Sequence, residues 1–103
     1  HIKATNLELT ASLKNYVEEK IGSISKLIKK WDMDDSIEVR VEVGRTTNHH
    51  HKGDVFRAEA DLRLPNKILR AEDENADMHA AIDKVENVLK REIDKYKGVK
   101  SVK

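Results

Sequence analysis

The chain has 103 residues, no cysteine, 38% charged residues and a formal net charge of +1. That length fits one small domain, residues 1–103, able to bury a core without staples, and the missing cysteines exclude disulfide frameworks and thiolate metal sites. No apolar run approaches the roughly 20 residues of a membrane span, and His1-Ile2-Lys3 does not resemble a signal peptide. A cytoplasmic protein is the expectation, and the absent initiator Met suggests a chain that starts inside its gene product.

Ile2–Asn6 is short and mildly apolar and reads as a first strand. Thr10 is a suitable N-cap for the helix that follows. Leu13, Val17, Ile21, Ile24, Ile28 and Trp31 recur at spacings of 4, 4, 3, 4 and 3, the period of a one-sided helix. It is expected to run from about Ala11 to Lys30, where the D-M-D-D stretch ends it. In I-E-V-R-V-E-V, residues 37–43, apolar and charged residues alternate, as in a strand buried on one face. Gly44 through Gly53 reads as a polar connection. Alternation returns from Val55, with Phe56, Ala58, Ala60, Leu62 and Leu64 on one face and Arg57, Glu59, Asp61 and Arg63 on the other. Pro65-Asn66 predicts a tight turn, and Lys67–Ala71 a further short strand. Asp73, Glu74 and Asn75 are expected to open a second helix at its positive end. Its apolar stripe is Met78, Ile82, Val85, Leu89, Ile93 and Tyr96, and Gly98 is the expected stop.

The order is β-α-β-β-β-α, an α+β fold. Three consecutive strands form an antiparallel meander, and the first joins the sheet by a crossover through helix 1. Both helices pack on the apolar face of the four-stranded sheet. The arrangement is similar to double-stranded RNA-binding domains, which grip RNA by shape.

Charge is unevenly spread along this frame. Between Lys20 and Lys30 there are four lysines (Lys20, Lys26, Lys29, Lys30) and no acid, and from Lys84 to Lys103 there are seven basic residues and three acids. Acids collect in Asp32–Asp35 and Glu72–Glu74. With the apolar stripes buried, Lys84, Asn87, Arg91 and Lys95 share one exposed side of the second helix. Two helices side by side then offer a groove lined with cations, a surface suited to phosphate backbones. The plainer reading is a solvated face, with the terminal lysines relaxing the helix dipole. Tyr16, Trp31, Phe56 and Tyr96 are the only aromatic residues, and Trp31 and Phe56 read as core. Base stacking on the sheet is therefore disfavoured, and backbone recognition is the form RNA binding would take. No nucleophile motif, Gly-rich phosphate loop or metal triad occurs, so no enzyme, cofactor or small-molecule substrate is expected.

The runs A-D-M-H-A-A-I-D at 76–83 and V-L-K-R-E-I-D-K-Y-K at 88–97, with A-T-N-L-E-L-T-A-S-L-K-N-Y-V-E-E-K at 4–20, resemble the ribosome hibernation promoting factor family. Its members are also called ribosome-associated inhibitor or sigma-modulation proteins. The resemblance covers nearly the whole chain and implies the same β-α-β-β-β-α fold. It implies binding to the small ribosomal subunit, in the channel that messenger RNA and the A- and P-site transfer RNAs would use. The implied result is inhibited translation and idle ribosomes kept intact under stress and in stationary phase. The implied contacts are basic helix side chains on ribosomal RNA phosphates. The family's basic positions fall here on Lys20, Ser23, Lys26, Val88, Arg91 and Lys95, so Ser23 and Val88 depart from the pattern. Lys29, Lys30, Lys84 and Lys97 lie close enough to compensate. His79 stands where the family usually has Tyr, either at the mouth of the groove or as a half-exposed helix histidine.

His49, His50 and His51 fall between the second and third strands. Adjacent residues on an extended chain point alternately to opposite sides, so at most two of the three converge, and no metal site is expected. With Arg45 and Lys52 they make a cationic hairpin loop that either reaches ribosomal RNA, more strongly as histidines protonate, or is a passive connection. Lys100–Lys103 reads as a tail or as the start of a linker to a second, dimerising domain. A generic double-stranded RNA binder and a protein-interaction module docking through Arg40, Arg57, Glu59 and Arg63 are the competing expectations.

Overall fold

The computed structural model describes residues 1–29, 38–46, 55–64 and 67–101. Its elements are β1 (Ile2–Thr5), α1 (Ala11–Lys29), β2 (Glu38–Thr46), β3 (Val55–Leu64), β4 (Lys67–Asn75) and α2 (Met78–Ser101). They form one sheet in the order β1-β2-β3-β4. The pairing of β1 with β2 is parallel, through α1, and β2, β3 and β4 are an antiparallel meander. This is the expected α+β topology. Trp31, Asp32–Asp35 and Pro65-Asn66 lie outside the described residues. Among the described residues no helix is long and apolar enough to cross a membrane.

Both helix starts are fixed by side chains that accept otherwise unpaired backbone N–H groups. Leu13 N donates to Thr10 Oγ1 at 3.1 Å and Lys14 N to the Thr10 carbonyl at 2.9 Å. In α2 the cap is Asp77: its Oδ1 accepts from His79 N at 3.1 Å and its carbonyl from Ala81 N at 3.1 Å. Asn75 Oδ1 in turn accepts from Asp77 N at 3.0 Å.

Four expected boundaries are corrected. Helix α2 does not open at Asp73: β4 continues through Glu72, Asp73, Glu74 and Asn75, because these pair with Glu59, Ala58, Arg57 and Phe56 of β3. Strand β2 likewise runs on through Gly44, Arg45 and Thr46, which pair with Arg57, Phe56 and Val55. Arg45 is thus a strand residue and not part of a loop. Gly98 does not stop α2, which continues to Ser101, and it takes no left-handed φ. Asn6 is outside β1 and has φ 55°, a conformation Asn tolerates, which turns the chain off the sheet toward α1.

The core lies between the helices and one face of the sheet. Val17, Ile24, Val43, Leu62, Leu89 and Ile93 are the largest fully buried side chains. Burial of each stabilises the fold by about 1.5–3 kcal/mol. Ile21, Phe56 and Tyr96 are only partly buried against this cluster.

The opposite face of the sheet is charged. Strand register sets Lys3, Glu42, Glu59 and Glu72 side by side in one row. Three neighbouring glutamates repel, and the rows around them offset this. Arg57 Nη2 binds both Glu59, at 3.1 Å, and Glu72, and Thr5 Oγ1 donates to Glu42 at 2.8 Å. Arg70 pairs with Asp61 at 3.3 Å and Arg40 with Glu38 at 3.5 Å. Arg63 is exposed and makes no ion pair among the described residues.

Candidate nucleic-acid interface

The helices run in the same direction, since Tyr16 meets His79 and Asp83 while Ser23 meets Glu86. Successive turns of α2 present His79, Asp83, Glu86 and Lys90 toward α1, at the three-to-four spacing that keeps residues on one helix face. Tyr16 Oη donates to Asp83 Oδ1 at 2.5 Å. The Tyr16 ring lies edge-to-face on His79 with centroids 4.3 Å apart, and Lys20 Nζ sits 5.2 Å from the Tyr16 centroid. Ser23 Oγ lies 2.6 Å from Glu86 Oε2 and 2.8 Å from the Lys20 carbonyl. The hydroxyl has one proton, and the shorter contact to a charged acceptor takes it.

These contacts shift two ionisations. The hydrogen bond to Asp83, then burial and the Asp83 charge, push the Tyr16 phenol above its ordinary value. Burial works against the Lys20 ammonium, but the charge of Asp83, then Tyr16 and Glu86, and the hydrogen bond to Asp83, raise its pKa in sum. Lys20 Nζ is 3.5 Å from Asp83 Oδ1 and 3.9 Å from Glu86 Oε1. Lys90 Nζ is 3.3 Å from Glu86 Oε2. Among the described residues the seam between the helices therefore carries two lysines and two carboxylates and is close to neutral. Asp83 and Glu86 were legible in the sequence as α2 residues one turn apart. Their role was not, because no periodicity shows which lysine of α1 comes opposite.

The remaining cations are placed differently. Lys84, Asn87, Arg91 and Lys95 are all exposed, on the expected outer stripe of α2. Lys26 is exposed on α1, one turn past Ser23. None of Lys26, Lys84, Arg91 and Lys95 forms an ion pair among the described residues. Val88, at a usually basic position, is half-buried and packs against the core. Arg45 is exposed near the end of β2, away from this surface in the chain. His49, His50, His51, Lys52 and Lys30 lie outside the described residues, and the side chains of Lys29 and Lys97 lie outside the described set. An exposed stripe of cations, unpaired among the described residues and flanking a neutral seam, can bind phosphates by charge neutralisation without reading bases.

A family model described as Sigma 54 modulation protein / S30EA ribosomal protein matches residues 1–100. The chain is similar to the ribosome hibernation promotion factor of Deinococcus radiodurans, 36% identical over 96 residues, covering 93% of this chain and 47% of that protein. It is similar to those of Staphylococcus aureus strain COL (35% over 96 residues, 93% and 46%) and Lactococcus lactis subsp. cremoris (37% over 99 residues, 94% and 48%). The chain spans about half the length of these relatives. The crystal structure of the Thermus thermophilus Protein Y N-terminal domain superposes with a TM-score of 0.67 at 26% identity, over 93% of this chain and 96% of that one. A ribosomal subunit interface protein from Coxiella burnetii shares the fold, with a TM-score of 0.67 at 18% identity over 95% and 96% of the two chains.

Proposed function

The chain belongs to the sigma 54 modulation protein / S30EA ribosomal protein family, and from that premise we propose that it acts as a ribosome hibernation factor. In this reading it works in the cytoplasm and binds the small ribosomal subunit in the messenger and transfer RNA channel. It blocks the A- and P-sites there and preserves idle ribosomes under stress. The observation that carries the reading is the exposed set of Lys26, Lys84, Arg91 and Lys95 beside the helix seam, unpaired among the described residues. Lys29, Lys30 and Lys97 extend the set along the chain, and His79, against Tyr16, stands at one end of the seam. Lys20 acts in it as a seam residue tied to Asp83 and Glu86, and contributes less to phosphate binding than the flanking cations.

The test is co-sedimentation with bacterial ribosomes over a salt series, beside the variant Lys26→Ala/Arg91→Ala/Lys95→Ala and a competing transfer RNA. Binding that salt and the triple change both weaken, and that transfer RNA displaces, is expected. No binding at low salt would sink the reading. Equal affinity for any RNA duplex would favour a generic RNA binder. Salt-tolerant binding to a protein, with ribosomes ignored, would favour docking through the sheet.

A further inference from the structure

A surface built only to hold phosphates would place cations alone along the groove. This seam holds a buried carboxylate at its centre. Glu86 is 9% exposed, in a position where charged side chains are rarely found unless paired. Its Oε2 accepts from Ser23 and lies 3.3 Å from Lys90 Nζ, and its Oε1 lies 3.9 Å from Lys20 Nζ. Both lysines that face the seam from the described residues are thereby held next to negative charge. The adjacent residue in sequence, Arg91, is exposed and unpaired among the described residues. One helix thus presents two neighbouring cations, one neutralised and one free among the described residues.

The consequence for a polyanion is geometric. A strand lying along the seam meets ion pairs of no net charge, and its phosphates approach Glu86 and Asp83 as like charges. A backbone that crosses the seam, touching Lys26 on one helix and Arg91 and Lys95 on the other, passes Glu86 once, in the concavity it shares with Lys26, and does not run along both carboxylates. Resting on the ribosome-binding reading above, we infer that Glu86 is a specificity-determining residue. By holding Lys90 in an ion pair, and Lys20 jointly with Asp83, it suppresses binding to arbitrary RNA and leaves recognition to the flanking cations, whose spacing only a shaped RNA surface matches.

The test compares a random-sequence RNA duplex with purified ribosomes over about 50–200 mM salt. Glu86→Gln keeps the shape and the acceptor for Ser23, removes the charge and frees the Lys90 ammonium, while Lys20 keeps Asp83 at 3.5 Å. Duplex affinity should rise about 10-fold near 100 mM salt, and the dependence of log affinity on log salt should steepen by about one. Ribosome affinity should change less than about threefold, so the ratio of the two affinities falls. A second pair of variants does not depend on altering the buried acid. Lys90→Gln should leave both slopes unchanged, and Arg91→Gln should flatten the ribosome slope by about one. The inference is overturned if Glu86→Gln leaves duplex binding unchanged, weakens it, or raises duplex and ribosome affinity equally. It is overturned as well if Lys90→Gln flattens the ribosome slope as much as Arg91→Gln. A wild-type chain that ignores ribosomes at low salt overturns the proposed function together with this inference. Normal ribosome binding with an unaltered Glu86→Gln duplex affinity overturns the inference alone.

Discussion

On the open face of the sheet, Arg57 lies between Glu59 and Glu72, Arg70 beside Asp61 and Arg40 beside Glu38. On the outer stripe of α2, Lys84, Arg91 and Lys95 meet no carboxylate among the described residues. Both surfaces are rich in cations, and the difference lies in how each element chooses neighbours. A sheet brings together residues from different strands and residues two apart on one strand, and here both kinds of neighbour carry opposite charge, directly across at Asp61 and Arg70 and along the strand at Arg57 and Glu59. A helix stripe brings together residues three and four apart, and α2 places like charges at those positions. Arg91 and Lys95 repel at a cost of a few tenths of a kcal/mol. The number of cations is therefore a poor guide to an anion-binding surface, and the number left unpaired is a better one.

The sharpest way to break this comparison is the triple change Lys26→Ala/Arg91→Ala/Lys95→Ala. It should lower affinity for ribosomes roughly 100- to 500-fold near 0.1 M salt and flatten the salt dependence by about two to three. Sedimentation binding curves check this, and an unaltered slope would erase the distinction between the two surfaces. The seam should behave as a third case, paired like the sheet but with Glu86 at its centre buried. Tyr16→Phe removes its hydrogen bond to Asp83 and should cost about 1–2 kcal/mol of stability in denaturant unfolding, with little effect on binding.

Alkaline pH sharpens that case. The folded pKa values of Tyr16 and Lys20 lie above their ordinary values. Their contribution is thus fully present below about pH 10 and is lost as pH rises through the folded values. The stability difference between wild type and Tyr16→Phe should shrink above that pH, and a constant gap would show that the phenol does not titrate with the seam. The smallest effect belongs to the sheet. Arg40→Ala/Arg63→Ala/Arg70→Ala should change ribosome affinity less than about threefold and stability by about 1 kcal/mol or less, the usual worth of exposed ion pairs.

The order of elements was legible because both helices have clean stripes and β3 alternates without interruption. What the sequence hid was where elements end. Glu72, Asp73 and Glu74 carry the local signature of a helix start, yet they are strand because β3 extends opposite them and supplies partners. Gly44, Arg45 and Thr46 break the apolar alternation of β2 and are strand for the same reason. Pairing from another strand outweighs local preference at such positions. At the candidate interface, the cations of α2 were readable from spacing alone. The neutralisation of Lys20 was not, since it depends on Asp83 and Glu86 arriving from more than sixty positions away.

The parallel pairing of β1 has a kinetic side. The meander and α2 close through neighbours in sequence, but Ile2 reaches Val41 only across the whole of α1. Closing so long a loop is slow and is rewarded by a strand of only four residues. The approach is close at Gly44, where a Cβ would stand 3.1 Å from the Thr5 carbonyl oxygen, so a side chain there would push β1 outward by a few tenths of an ångström. This strand should be the last part of the sheet to form and the first to let go. Each time it does, the edge of β2 is briefly open to any other chain that can supply a strand.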